Sequence, residues 1–216
     1  MGDVRFHITT TLDGYVAGPD QSREHPLGVG AETIHDWAFA TRSMREAHGM
    51  TGGEASLDDE RAASWSRNIG AHIMGRNMFG PVRGEWGDEE WRGWWGDDPP
   101  FHAPVFVLTH YPREPLEMDG GTTFTFVVDG IESALAQARE AAGDKDVAIS
   151  GGASTAQQYL RAGLVDEMEI HVVPLLLGGG ERLFEGLDGA LRAFECVELV
   201  SSPAVAHFRY SRHPPQ

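Results

Sequence analysis

Asp146–Leu160 reads DVAISGGASTAQQYL. Its apolar run Val147-Ala148-Ile149 predicts a short buried strand. Gly151-Gly152 follows at once, and an amphipathic segment opens at Ala153-Ser154-Thr155. A strand that ends in paired glycines and turns into a helix leaves backbone N–H groups free at the helix start. With the helix dipole, those donors favour an anion such as a phosphate. A tight strand-to-helix turn that holds no ligand accounts for the same residues.

The unit recurs upstream. Ala71-His72-Ile73-Met74 is an apolar strand that runs straight into Gly75-Arg76-Asn77-Met78-Phe79. Here the turn carries a fixed positive charge. A guanidinium can grip a phosphate bidentately and is never deprotonated; in an acidic chain it serves equally well in a salt bridge. Val105–Leu108 is a third buried strand, ending in Thr109-His110-Tyr111-Pro112. A hydroxyl and an imidazole at a strand end can donate to a phosphate or ribose, or simply satisfy a turn.

Further strands are expected at Val4–Thr10, Thr122–Val128 and Glu169–Pro174, and a helix at Ile131–Ala142. Phe194–Val200 and Ala204–Ser211 close the chain as two antiparallel strands, with Pro203 in their turn. Strands alternating with helices, then a run of strands, predict one α/β domain over residues 1–216, its sheet mostly parallel with an antiparallel edge. In such a sheet the three polar strand ends share one edge, where nucleotides bind. The G-x-G-x-x-G fingerprint after the first strand is absent, so an ordinary dinucleotide site is not expected.

The connections carry the remaining candidates. Thr11–Pro19, TLDGYVAGP, holds two turn signals and predicts either a hairpin or a glycine-hinged flap beside a site. Ala31–Glu46 predicts a helix whose buried face is Ile34, Trp37, Ala38, Thr41 and Met44. Glu32 and Asp36 suit its first turns, where negative charge complements the dipole. Asp36 can alternatively point into a cleft as a proton donor or substrate anchor. Residues 49–64, rich in glycine and acids, predict an exposed insertion running into a helix at Leu57–Arg67. Four of the six tryptophans crowd residues 81–102, which predicts an irregular loop pinned by its indoles, a wall for a flat heterocycle, or a subunit contact.

Composition narrows the function. The formal net charge of -16 repels nucleic acid and anionic membranes, so neither is an expected partner. A phosphate ligand would need local donors acting against the overall field. The lone Cys196 excludes an internal disulfide and fits a reducing cytoplasm. Neither a signal peptide nor an apolar run near the ~20 residues of a membrane span is found. The ten histidines show no metal-ligand spacing, so no metal site is expected.

Taken together, MGRNMF (Met74–Phe79), VLTH (Val107–His110) and ISGGASTAQQYL (Ile149–Leu160) resemble the dihydrofolate reductase fold. TTLDGYVAG (Thr10–Gly18) and PLLLGGGERLF (Pro174–Phe184) narrow the resemblance to the reductase domain of bifunctional riboflavin-biosynthesis proteins, over residues 4 to 210. The resemblance implies an NADPH-dependent reductase of a small-molecule substrate, and a homodimer. It puts Gly151 and Gly152 against the cofactor pyrophosphate, often through a cis peptide, with Ala153, Ser154 and Thr155 capping a phosphate. It brings Gly75, Arg76 and Asn77 to the adenosine phosphates, and Thr109 and His110 near the 2′-phosphate. Leu12–Gly18 resembles the flap over the nicotinamide, and Gly178–Gly180 would border the substrate. Asp13 and Asp36 are the candidate proton donors. ETIHDWAFATRS does not match the carboxylate motif of folate-reducing members, so strict dihydrofolate reductase activity is not expected. Riboflavin-pathway reductases take a phosphoribosyl-amino-pyrimidine and need a basic pocket, and no such pocket can be picked out of this acidic chain. A non-catalytic nucleotide-binding protein and a ligand-free structural dimer are the competing readings.

Overall fold

A computed structural model describes residues 2–80, 84–87 and 91–213. The elements in chain order begin with β1 (Val4–Thr11), β2 (Tyr15–Ala17), α1 (Asp36–Phe39), α2 (Arg42–Ala47) and α3 (Leu57–Ser64). β3 (Ile69–Gly75), α4 (Arg76–Phe79), β4 (Pro104–Leu108), β5 (Leu116–Glu117), β6 (Thr123–Val127) and α5 (Ile131–Ala142) follow. The chain ends with β7 (Asp146–Gly151), α6 (Ala153–Arg161), β8 (Glu167–Val173), β9 (Glu181–Arg182), β10 (Phe194–Ser201) and β11 (Ala206–Arg212).

Nine strands form one sheet in the order β10-β11-β8-β1-β7-β3-β4-β6-β5. The block from β8 to β6 is parallel, while β5, β10 and β11 pair antiparallel at its edges. This is the α/β architecture with antiparallel edge strands that the element pattern predicts. Because side chains alternate along a strand, the sheet has two distinct faces. Phe6, Ile73, Phe106 and Ile149 pack beneath α5 and α6 with Leu135, Ala156, Tyr159 and Leu160. Tyr159 is fully buried, and its hydroxyl donates to Ile131 O at 2.8 Å. On the opposite face Met74, Val105, Val107, Phe124 and Phe126 are covered by Phe79 and the indoles of Trp86, Trp91 and Trp95. A third, separate cluster packs Ile34, Trp37 and Ala38 on Val173 and Val205.

The helix expected over Ala31–Glu46 is broken. Thr41 takes an extended conformation, accepts from Met44 N at 3.3 Å and becomes the N-cap of α2. Its neighbours bond instead to the following segment, Arg42 N to Glu54 O and Glu54 N to Ala40 O. The side chain of Thr41 thus competes with the helical ladder, as threonine does. Residues 49–64 are only partly the exposed insertion expected. Ser56 caps α3, which buries Asp58 and Ala62 against the body. The tryptophan-rich segment is irregular and pinned: Trp91 Nε1 donates to Phe79 O at 3.0 Å, and Trp86 Nε1 to Tyr111 O at 2.9 Å. Part of it, residues 81–83 and 88–90, lies outside the described residues. Among the described residues no helix is long and apolar enough to cross a membrane.

Candidate active site

Parallel pairing brings the C-terminal ends of β1, β3, β4, β6 and β7 to one edge, and two clefts meet there. The first is a groove of about 370 Å³ over the ends of β3, β4 and β7. Gly151 has φ +117 and the Gly151–Gly152 peptide is cis. Gly152 is the N-cap of α6 and offers no side chain to the first turn, so that helix end keeps its donors for something else. Gly75 abuts the same turn, and a Cβ there would collide with Thr155 Oγ1. The glycine is what lets the two strand-to-helix turns pack together.

Arg76 lies on the groove wall. Its guanidinium stacks on Trp86, 3.6 Å from the ring centroid, and faces Tyr111 at 5.5 Å. It donates to Gly84 O and, at 3.5 Å, to Glu85 O. Its Nε is buried without a hydrogen-bond partner. Burial holds its pKa below the ordinary arginine value, although the group stays charged at any physiological pH. The salt bridge that was the alternative use of this arginine is not formed with any described acid. Thr109 Oγ1 accepts from Tyr111 N at 3.2 Å, and His110 stands exposed beside it; both line the groove with Ser154 and Asn77. An uncapped helix start, a stacked guanidinium with an orphaned Nε, and a strand-end hydroxyl make a donor set suited to a phosphorylated nucleotide.

The second cleft, about 440 Å³, lies between the sheet edge, α1 to α3 and the tryptophan-rich segment. Asn77, Gly152 and Glu181 border both clefts, so the two are continuous at the glycine turn. Its walls are Phe39, Trp65, Trp94, Trp95 and Phe101, and its polar groups include His7, His35, His72 and Ser150. Burial lowers the pKa of His7 to about 3 and those of His35 and His72 to about 4, so all three imidazoles are neutral at pH 7. His7 stacks on Trp65 with centroids 4.5 Å apart, and His72 Nδ1 lies 3.2 Å from Ser150 Oγ.

Neither expected proton donor lines this cleft. Asp13 accepts from Thr11 Oγ1 at 2.6 Å, Gly178 N at 2.7 Å and Leu177 N at 3.2 Å. Those bonds, the Thr11 hydroxyl foremost, hold its pKa at about 2, the wrong direction for an acid at neutral pH. Asp13 is a staple: it joins the Leu12–Gly18 loop to the second glycine-rich loop, and β2 and β9 pair antiparallel beside it. Asp36 begins α1 and is exposed, while its neighbour His35 faces the cleft. The acid-bearing candidate that sequence reading passed over is Glu181, whose Oε2 would stand 3.9 Å from a Cβ built on Gly152. It lies inside the glycine-rich motif singled out above, where only the glycines attracted attention. Trp65 was missed as well, because residues 49–64 read as a solvated insertion.

A family model for the RibD C-terminal domain matches residues 3–206. Among solved structures, one described as a riboflavin biosynthesis protein from Shewanella sp. PV-4 superposes with TM-score 0.64 and 22% identity, covering 98% of this chain and 99% of that one. Dihydrofolate reductase from Enterococcus faecalis, complexed with NADP(H), superposes with TM-score 0.55 and 15% identity, covering 99% and 98%. RibD of Acinetobacter baumannii gives TM-score 0.56 and 18% identity; the match covers 99% of this chain but 59% of that one. At these identities the structures establish the shared fold. No curated protein sequence matches.

Proposed function

The chain belongs to the RibD C-terminal domain family, and from that premise we propose that it is an NADPH-dependent reductase of a small heterocyclic compound. The observation that carries the reading is the junction of the two clefts at Gly152, Asn77 and Glu181. A dinucleotide held by its phosphates at α6 and Arg76 would reach that junction with its far end. When bound, NADPH supplies a hydride to an electrophilic carbon of a C=N or C=O bond, whose heteroatom then takes a proton.

The protein's own contribution is position and dryness. The Gly75 and Gly151-Gly152 turns allow close backbone approach, and the α6 start and Arg76 fix the phosphates. The Asp13-stapled loops and the indole wall exclude water. Glu181 stands at the junction, and the neutral imidazoles of His35 and His72 line the cleft beside it, where they can hydrogen-bond to the substrate and orient it. A homodimer fits the edge strand β10, which leaves Val197 48% and Leu199 57% exposed. The exposed lone thiol of Cys196 suits the cytoplasm.

The test is a thermal shift with NADPH followed by a substrate panel under single-turnover conditions. A cofactor at 100 times its Kd stabilises the fold by about 2.7 kcal/mol, a visible shift. Binding with substrate-dependent oxidation supports the reductase. Binding with no oxidation across the panel favours a nucleotide-binding protein that has lost turnover, and no shift at all removes both.

A further inference from the structure

The second cleft is wide, aromatic and, on its described lining, free of lysine and arginine. Its deep polar groups are the neutral imidazoles of His7, His35 and His72, and the carboxylate of Glu181 stands at its junction with the groove. The remaining histidine, His48, is at the exposed rim with Nδ1 donating to Met44 O at 2.8 Å. The nearby guanidinium of Arg5 is committed elsewhere, to Arg67 O at 3.0 Å and Asp146 at 3.5 Å. A phosphate ester entering here would shed water with no cation on the described lining to receive it, in a protein whose net charge is already -16. A flat, uncharged ring meets the opposite conditions. Trp65, Trp94, Trp95 and Phe101 offer faces and edges to it, and the neutral imidazoles can donate or accept hydrogen bonds, His72 through Nε2 because its Nδ1 is engaged by Ser150.

We infer that this cleft takes an uncharged, planar, conjugated ring compound and rejects the phosphate ester of the same ring. This rests on the reductase reading and deepens it. It parts from the phosphoribosyl-amino-pyrimidine that the family resemblance implies, because the described lining of the substrate side offers no lysine or arginine to its phosphate.

The test uses a matched pair, 2-naphthol and 2-naphthyl phosphate, titrated against the full chain with tryptophan fluorescence as readout, with and without NADPH. 2-Naphthol is expected to bind at least about tenfold tighter than its phosphate ester, the discrimination that one unpaired desolvated charge produces. His35→Arg places a cation in the cleft and is expected to narrow that gap. Phe39→Arg, at a position 38% exposed, does the same if the first variant fails to fold. Equal or tighter binding of the ester, no binding of either ring, or an unchanged gap in a folded arginine variant overturns the inference. Selective 2-naphthol binding without any NADPH thermal shift would leave the cleft's preference standing and remove the reductase reading instead.

Discussion

His171 Nδ1 and His207 Nδ1 lie 2.7 Å apart in the interior, with the two side chains 0% and 1% exposed. Their neighbours fix every proton. Trp65 Nε1 can only donate, and it points at His171 Nε2 at 3.1 Å, so that nitrogen accepts. The His171 proton is therefore on Nδ1 and is donated to His207 Nδ1. His207 in turn carries its proton on Nε2 and donates to Asp58 Oδ1 at 3.0 Å, while Asp58 Oδ2 accepts from Ser202 Oγ at 2.8 Å. One chain of hydrogen bonds runs from β11 through β8 to the indole that stacks on His7 in the cleft.

The orientation of that chain makes its parts unequal. Asp58→Asn keeps an acceptor for His207 and a donor for Ser202, so it should cost less than about 1 kcal/mol, near the net worth of one hydrogen bond. His207→Ala leaves His171 Nδ1–H buried with no acceptor and opens a cavity, so about 2–4 kcal/mol is expected. Urea unfolding of both variants measures the contrast. Similar losses for the two would show that the proton assignment is wrong.

Acid should unfold this protein through its histidines. Burial lowers the pKa of His7, His35, His72, His171 and His207, so each binds its proton more readily in the unfolded chain. For His207 the Asp58 carboxylate opposes burial without reversing it. A lowered folded-state pKa gives stability that is fully present above the unfolded value, about 6.5, and is lost as pH falls below it. Stability should be flat above about pH 7 and fall steadily from about 6.5 toward 4, where His35 and His72 titrate in the folded state. His72→Gln should flatten that slope. Denaturation midpoints between pH 7.5 and 4.5 provide the check, and a stability that rises on acidification contradicts the neutral assignment.

Asp13 illustrates what a sequence conceals. Thr11-Leu12-Asp13-Gly14 announces a turn, and a carboxylate beside a flap invites a catalytic role, but besides the local Thr11 hydroxyl its donors are the amides of Leu177 and Gly178, 164 and 165 residues away. If Asp13 is a staple, Asp13→Ala should free the amides of Leu177 and Gly178 and raise their hydrogen exchange. The acid limb of the kcat profile should keep its position. Loss of that limb with unchanged exchange would restore the proton-donor role.

The parallel sheet was legible because its strands are short apolar runs that each stop at glycine, arginine or threonine, and those stops are the groove. The substrate side was not, because it is assembled from residues whose local patterns say something else. His7, His171 and His207 occupy strand positions where a polar residue reads as solvent-facing, yet the indoles of Trp37 and Trp65 pack against them. Trp65 follows a helix whose first turn, Leu57-Asp58-Asp59-Glu60, is almost wholly acidic. Thr41 splits a helix that its own hydrophobic spacing predicts as continuous. In each case a partner far along the chain decides the role, and spacing within one segment carries no trace of it.

The groove end of the site makes the most direct prediction about cofactor choice. Arg76 is held by Trp86 and the carbonyls of Gly84 and Glu85, and its buried Nε lacks a partner. Thr109 presents its hydroxyl at the neighbouring strand end. Both line the groove with His110, a set suited to the additional phosphate that separates NADPH from NADH. Arg76→Ala should weaken NADPH by the worth of a charge-assisted hydrogen bond, about 1.5–3 kcal/mol, or roughly ten- to hundredfold, and NADH by much less. Arg76→Lys should recover little, since an ammonium can neither stack on Trp86 as a plane nor present a fork of donors. Thr109→Ala should shift the same preference by a smaller factor. Nicotinamide fluorescence titrations of the wild type and the three variants with both cofactors supply the numbers. Equal losses for NADPH and NADH would remove this end of the groove as the 2′-phosphate site and leave Arg76 to the pyrophosphate.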